Sequence, residues 1–143
     1  MPNPSVDPAV GFSAFATDLD FARIPPDVVQ IVKLFMLDTL GVAVAGTTAP
    51  GCGVLVEQVR EWDRSGAASL LNFGDKVSLP SAALVNATLA EGRDFDDTYD
   101  RGIVHVMAPT VAAGLAFAEQ RGGVSGSELI TAVVAGAEIM CRI

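Results

Sequence analysis

The sequence has few of the residues on which several classes of protein depend. It holds nine Lys and Arg against seventeen Asp and Glu, a net charge of −8, and a single histidine. Nucleic-acid binders need a basic face, and proteins that dock on anionic lipid need basic clusters, so both classes are disfavoured. Cys52 and Cys141 lie far apart without a CxxC spacing, and with one histidine they make no recognisable zinc site.

The sequence also lacks a secretion signal and a convincing membrane span. Its first residues carry no basic region followed by an apolar core. The uncharged stretch 39–56 is interrupted by Pro50 and four glycines, which break it short of a span. We therefore predict a cytoplasmic protein with no membrane partner and no nucleic-acid partner.

The abundant residues are Ala, Val and Gly, and half of the chain is apolar. This composition suits helices that pack closely through small side chains. We predict an all-α, bundle-like fold with at most one small hairpin, which residues 68–79 would form around Gly74-Asp75. A central helix after Pro25-Pro26 would bury a stripe made of Val28, Ile31, Val32, Phe35 and Leu40.

The last predicted helix begins with a capping box at Ser125 and Glu128. An apolar band follows it, and the chain stops at Ile143 without a glycine cap or a polar tail. We therefore expect residues 1–143 to be the N-terminal portion of a larger helical domain in a longer protein.

The most distinctive segment runs from Asp94 to His105, between two apolar predicted helices. It holds four aspartates within seven residues and the only histidine of the chain. Like charges this close repel each other, so they are kept for a function or left in water. Connections between rigid elements often carry function, and this segment is the candidate site.

Two motif matches and a family resemblance compete as interpretations of the segment. Asp94 to Thr98 matches the DxDxT loop of haloacid-type phosphatases, but that loop needs a preceding strand, and helical residues precede it here. Asp96 to Asp100 matches the DDxxD motif of magnesium-dependent isoprenoid synthases. In a helix, this spacing would place Asp96 and Asp100 on the same face, as binding of a cation requires. A calcium-binding EF-hand fails, because Tyr99 stands where that loop needs glycine.

The third interpretation is a family resemblance. Residues 37–46 (LDTLGVAVAG), 80–87 (PSAALVNA), 94–98 (DFDDT) with His105, and 108–116 (APTVAAGLA) resemble segments of the MmgE/PrpD family in order and spacing. The resemblance covers residues 12–143. It implies the N-terminal part of a mainly helical domain in a cofactor-free homodimeric enzyme. The family includes 2-methylcitrate dehydratase, cis-aconitate decarboxylase and iminodisuccinate epimerase.

The resemblance implies that Asp94, Thr98 and His105 line an active site for a small di- or tricarboxylic acid, without a metal. His105 would move a proton, because histidine titrates near neutral pH. Asp94 would orient the imidazole, and Thr98 would hold the substrate. Asp100 is interpreted as a solvated turn residue.

The sequence departs from the family pattern beside these residues. Many members have His-Ala-Leu where residues 91–93 read Glu-Gly-Arg, His where Tyr99 stands, and Pro-Gly directly after His105. The departures flank the substrate, so the particular acid and the reaction stay open. A helical interaction module whose acidic loop binds a basic partner is the alternative that involves no catalysis, and the DDxxD synthase is the alternative enzyme.

Overall fold

The computed structural model describes residues 7–143, and most of them are helical. The elements in chain order are α1 (Pro8–Asp18), a 3-10 turn (Phe21–Arg23), α2 (Pro26–Gly46), α3 (Cys52–Trp62), β1 (Ala68–Ser69), β2 (Lys76–Val77), α4 (Leu79–Glu91), α5 (Met107–Gln120) and α6 (Gly126–Met140). Strands β1 and β2 pair antiparallel, with Ala68 opposite Val77. The predicted all-α fold with one small hairpin is confirmed.

Helix α4 is the centre of the fold and packs against both α2 and α5. Its Ala82, Val85 and Leu89 side chains are buried. The approach of α2 depends on Gly46, because a Cβ at that position would overlap the carbonyl oxygen of Leu89. Small residues therefore set the distance between these helices, as the composition indicates.

Two side chains tie the hairpin to the helices. The buried Asn86 of α4 accepts a hydrogen bond from the Leu71 amide at 2.8 Å and donates one to the Ser69 carbonyl at 2.9 Å. Glu119 of α5 accepts from the Ser69 amide, from the Ser69 hydroxyl at 2.6 Å and from the Lys76 ammonium at 3.3 Å. The hairpin is thereby fixed against α4 and α5.

Helix α2 is less deeply buried than its sequence pattern predicts. Val32 and Thr39 are buried, but Ile31 and Phe35 of the predicted stripe are exposed, so that part of the prediction is wrong. The apolar residues run all round this helix, and α4, α5 and α6 cover only one of its faces. Periodicity alone does not show which face is covered.

Helix α2 is also long and apolar enough to cross a membrane, judged by length and composition alone. Its best 18-residue window has a mean hydropathy of 1.8, and 28% of that window is buried. The core helix of a soluble protein meets the same criterion. The cytoplasmic location therefore stays a prediction.

The start of α6 agrees with its sequence signal. The Ser125 hydroxyl accepts a hydrogen bond from the Glu128 amide at 3.2 Å, and the Glu128 carboxylate accepts one from the Ser125 amide at 2.8 Å. Both bonds satisfy amides at the helix start that have no partner within the helix. The predicted capping box is confirmed.

Candidate active site between α4 and α5

The acidic segment forms an irregular connection between the end of α4 at Glu91 and the start of α5 at Met107. Asp94 adopts a left-handed backbone conformation with φ of 55°, and its amide donates to the Glu91 carbonyl at 2.8 Å. Aspartate tolerates this conformation better than most residues. The chain therefore turns sharply as it leaves α4.

A second turn brings the chain back. The Tyr99 amide donates to the Val104 carbonyl at 2.9 Å, and these residues form an isolated antiparallel bridge. Asp100 lies exposed in the loop that this bridge closes, as expected for a solvated turn residue. The bridge returns the chain so that His105 lies beside Asp96 and Asp97.

Asp97 connects the histidine to the start of α5. Its carboxylate accepts hydrogen bonds from the amides of Val106 at 3.3 Å and Met107 at 2.9 Å. These amides belong to the positive end of the helix dipole, which stabilises an anion. The Asp97 carbonyl lies 2.8 Å from His105 Nδ1. Since a carbonyl oxygen can only accept a hydrogen bond, Nδ1 carries the proton of the neutral ring. Nε2 is therefore the nitrogen that can take up a further proton.

Three carboxyl groups surround the imidazole of His105. Its Nε2 lies 3.9 Å from Glu91 Oε1 and 3.9 Å from Asp94 Oδ1, and its Nδ1 lies 3.5 Å from Asp96 Oδ2. The Asp94 side chain is 86% exposed, whereas that of Asp96 is 1% exposed. The structure thus brings together His105 and Asp94, and adds two carboxyl groups to them.

The surroundings favour the protonated forms of two of these groups. The pKa of His105 is raised, first by its hydrogen bond to the Asp97 carbonyl and then by the nearby carboxylates, while burial opposes the shift. The pKa of Glu91 is raised by burial and by its contact with Asp96. Both groups therefore hold protons to higher pH than they would in water.

Thr98, the third predicted site residue, lies apart from this arrangement. It is exposed, and its hydroxyl makes no hydrogen bond within residues 7–143. The exposed hydroxyl is available to a substrate, but no hydrogen bond within the described residues orients it. Its substrate-holding role stays a prediction.

Sequence reasoning missed the parts played by Glu91, Asp96 and Asp97. Glu91 precedes Asp94 by three residues, a spacing that places two side chains on one face of a helix, but α4 ends at Glu91 and the turn at Asp94 brings the two together instead. The cap on α5 had no sequence signal, because Asp97 is separated from Val106 by a whole loop. The burial of Asp96 depends on how that loop folds back.

Arg93, which directly precedes Asp94, does not neutralise the carboxylates. The guanidinium of Arg93 donates to the Thr48 carbonyl at 2.9 Å and to the Thr48 hydroxyl at 2.6 Å, beyond the end of α2. Within residues 7–143, no Lys or Arg forms an ion pair with Glu91, Asp94 or Asp96. The negative charge must be offset by protons or by groups outside this chain.

The cluster is compact enough for a cation to be considered. One ligand atom from each of Glu91, Asp94, Asp96 and His105 lies within 4.8 Å of the others, although exposed acidic groups often gather without an ion. Neither oxygen of Asp96 has a hydrogen-bond partner. Either a cation or a proton beside Asp96 would compensate its unpartnered carboxylate. The metal-free site therefore stays a prediction.

The competing motif interpretations do not fit this geometry. A DDxxD metal motif places Asp96 and Asp100 on one helix face, but both lie in the irregular connection. A phosphatase loop would follow a strand, but α4 precedes Asp94. The structure therefore removes the local support for both motifs.

Two open clefts lie near the connection. One of about 540 Å³ has Glu91 and Gly92 in its wall, together with Pro50 and Ala108. A larger groove of about 650 Å³ between α5 and α6 is mainly apolar and contains none of the predicted site residues. The smaller cleft is the one that reaches the carboxyl cluster.

Comparison with known proteins agrees with the resemblance seen in the sequence. Cis-aconitate decarboxylase of Aspergillus terreus is 29% identical over 133 residues, which cover 90% of this chain and 27% of that protein. A cis-aconitate decarboxylase-like protein of Aspergillus oryzae is 24% identical over 135 residues, covering 90% of this chain and 28% of that protein. The chain thus spans about a quarter of the length of these relatives.

The family model of the MmgE/PrpD N-terminal domain matches residues 10–143. This match includes all six helices apart from the first two residues of α1, and the whole connection that carries His105. The chain therefore belongs to the MmgE/PrpD family.

Proposed function

We propose that this chain forms part of the active site of a lyase or epimerase that acts on a small di- or tricarboxylic acid. The observation that carries the proposal is the state of His105, whose Nδ1 is held by the Asp97 carbonyl while Nε2 faces the Asp94 carboxylate. This arrangement leaves a basic nitrogen oriented for proton transfer. The family membership and the named decarboxylase relatives support it.

The chemistry needs a group that moves a proton beside a carboxylate. Loss of water, loss of carbon dioxide and inversion at an α-carbon all require a proton to be taken from, or given to, the substrate. His105 performs this step through Nε2. Asp94 orients the ring and stabilises its charged form, and Thr98 holds the substrate. The reaction uses neither a metal ion nor an organic cofactor.

The substrate is an anion, but the described part of the site is negatively charged. We propose that cationic side chains from the rest of a longer polypeptide complete the pocket, since the relatives are more than three times as long as this chain. The 143-residue chain alone is then inactive. We also propose that the full-length protein is a homodimer located in the cytoplasm. Analytical ultracentrifugation of the full-length protein measures its oligomeric state directly.

The test is the turnover of the full-length protein on cis-aconitate, 2-methylcitrate and iminodisuccinate. His105→Ala should lower turnover on the accepted acid by roughly 10²–10⁴-fold, the usual effect of losing a positioned acid or base. Asp94→Asn should lower turnover by a smaller factor, because the side chain keeps its shape and loses only its charge. Asp100→Ala is the matched control and should leave turnover unchanged. Wild-type turnover in His105→Ala would overturn the assignment.

A further inference from the structure

The Asp96 carboxylate is a buried polar group without a partner. Its side chain is 1% exposed, and neither oxygen receives a hydrogen bond. The Nδ1 of His105 lies 3.5 Å from Asp96 Oδ2, but its proton points to the Asp97 carbonyl at 2.8 Å. A buried carboxylate without a donor carries a large free-energy penalty. A proton supplied by a neighbouring group would remove this penalty.

Glu91 is the neighbour best placed to do so. A carboxyl oxygen of Glu91 lies within 4.8 Å of a carboxyl oxygen of Asp96. Two ionised carboxylates can only accept hydrogen bonds, so a proton on one of them allows a hydrogen bond between them. Glu91 also lies in the last turn of α4, where the helix dipole disfavours negative charge. The Glu91 side chain is 46% exposed, so its burial is partial. This partial burial and the neighbouring Asp96 raise the pKa of Glu91, which agrees.

The other charged groups around the imidazole do not offer this proton. Asp94 is exposed to water, and the Asp97 carboxylate is occupied by the first amides of α5. After α6, Cys141 and Arg142 approach Asp97 and Tyr99 rather than the imidazole. Arg93 at the end of α4 is bonded to Thr48.

We propose that Glu91 holds a proton at neutral pH, donates it in a hydrogen bond to the buried Asp96 carboxylate, and reloads Nε2 of His105 during turnover. In the transfer, the O–H bond of Glu91 breaks and an N–H bond forms at Nε2, 3.9 Å away, leaving Glu91 as a carboxylate. Water in the cleft that Glu91 lines returns the proton. The reloading step rests on the proposed function, whereas the neutral state of Glu91 does not.

The test of the neutral state uses the single histidine of the chain, whose NMR signal needs no assignment. Glu91 Oε1 and Asp94 Oδ1 both lie 3.9 Å from Nε2, so replacing either carboxyl group by an amide changes a group at the same distance from the imidazole. Asp94→Asn removes a charge and should lower the imidazole pKa. Glu91→Gln exchanges one neutral donor for another and should leave the imidazole pKa nearly unchanged.

Two results would overturn the neutral state of Glu91. One is an equal fall of the imidazole pKa in Glu91→Gln and Asp94→Asn, which would show that Glu91 is ionised. The other is a change of the histidine signal on adding magnesium or a chelator, which would show a cation in place of the proton. If Glu91→Gln does not fold, infrared spectroscopy of the wild type replaces it. The carbonyl band of a protonated carboxyl group at neutral pH supports the proposal, and its absence refutes it.

The reloading step is tested separately in the full-length protein. Glu91→Gln should lower kcat by at least about tenfold with little change in KM, because a proton donor is lost while the shape stays. Glu91→Asp should restore part of the rate. An unchanged kcat in Glu91→Gln would refute reloading by Glu91. Lack of lyase or epimerase activity in the wild type would refute the proposed function and leave the NMR result standing.

Discussion

Gly46 of α2 lies directly against the carbonyl oxygen of Leu89 in α4, with no room for a Cβ between them. This contact sets the separation of the two helices just before α4 ends at Glu91. The position of the carboxyl cluster therefore depends on a residue that touches none of its members.

Gly46→Ala should destabilise the chain by roughly 3 kcal/mol or more, because backbone atoms cannot move aside as a flexible side chain can. The matched control is Gly41→Ala in the same helix, where a Cβ meets nothing within 4 Å. Alanine at an open helical position should stabilise by about 0.5–1 kcal/mol. Urea unfolding of both variants measures the contrast, and equal stabilities would contradict the close contact.

Asn86→Ala should destabilise the chain by about 2 kcal/mol or more, because it leaves the Leu71 amide and the Ser69 carbonyl without partners. Thr88→Ala serves as control, since the Thr88 hydroxyl bonds only to Leu84 of its own helix, at 2.8 Å. Amide hydrogen exchange should show that Leu71 loses protection in the first variant alone. Retained protection would mean that Asn86 does not hold the hairpin.

The stability that His105 contributes should fall as pH rises. Its pKa is higher in the folded chain than its ordinary value, so folding takes up a proton in this range. The contribution is complete below about pH 6.5 and disappears as pH rises through the raised pKa. The difference in unfolding free energy between wild type and His105→Asn should therefore narrow with increasing pH. A difference that widens would reverse the sign of the inferred interaction.

Magnesium should not bind the carboxyl cluster tightly. The proposed site works without a metal, and a proton on Glu91 takes the place that a cation would fill. Isothermal titration of the chain with magnesium should show no micromolar binding. Binding of that strength that is lost in Asp96→Ala would contradict the metal-free site. Loss in Asp100→Ala as well would favour the DDxxD interpretation, whereas binding kept in Asp100→Ala would place the cation among Glu91, Asp94, Asp96 and His105.

Much of the fold could be predicted from the sequence because its signals are local. The capping box at Ser125 and the turn around Gly74 depend on a few neighbouring residues, and both lie where expected. The exposure of Ile31 and Phe35 could not be predicted, because α2 is apolar on all sides and only its packing decides which face is covered.

The proximity of two site residues could be anticipated from the sequence, whereas their catalytic roles stay predictions. His105 and Asp94 stand out by residue type and by resemblance, and the structure brings them together. The burial of Asp96 and the contact of Glu91 with the imidazole depend on a loop that folds back across the end of a helix. Such contacts between residues far apart in the chain leave no periodic pattern in the sequence.

Asp97 holds the first amides of α5 with its carboxylate and His105 with its carbonyl. A mutational scan scored by activity would therefore rank Asp97 beside the histidine, although its side chain faces a helix end. Substitution removes the carboxylate but leaves the carbonyl in the backbone, so the damage reaches the imidazole only through movement of the loop. The activity that remains after substitution of Asp97 therefore measures the rigidity of the loop. A chain with a more rigid loop would keep its histidine aligned without the aspartate.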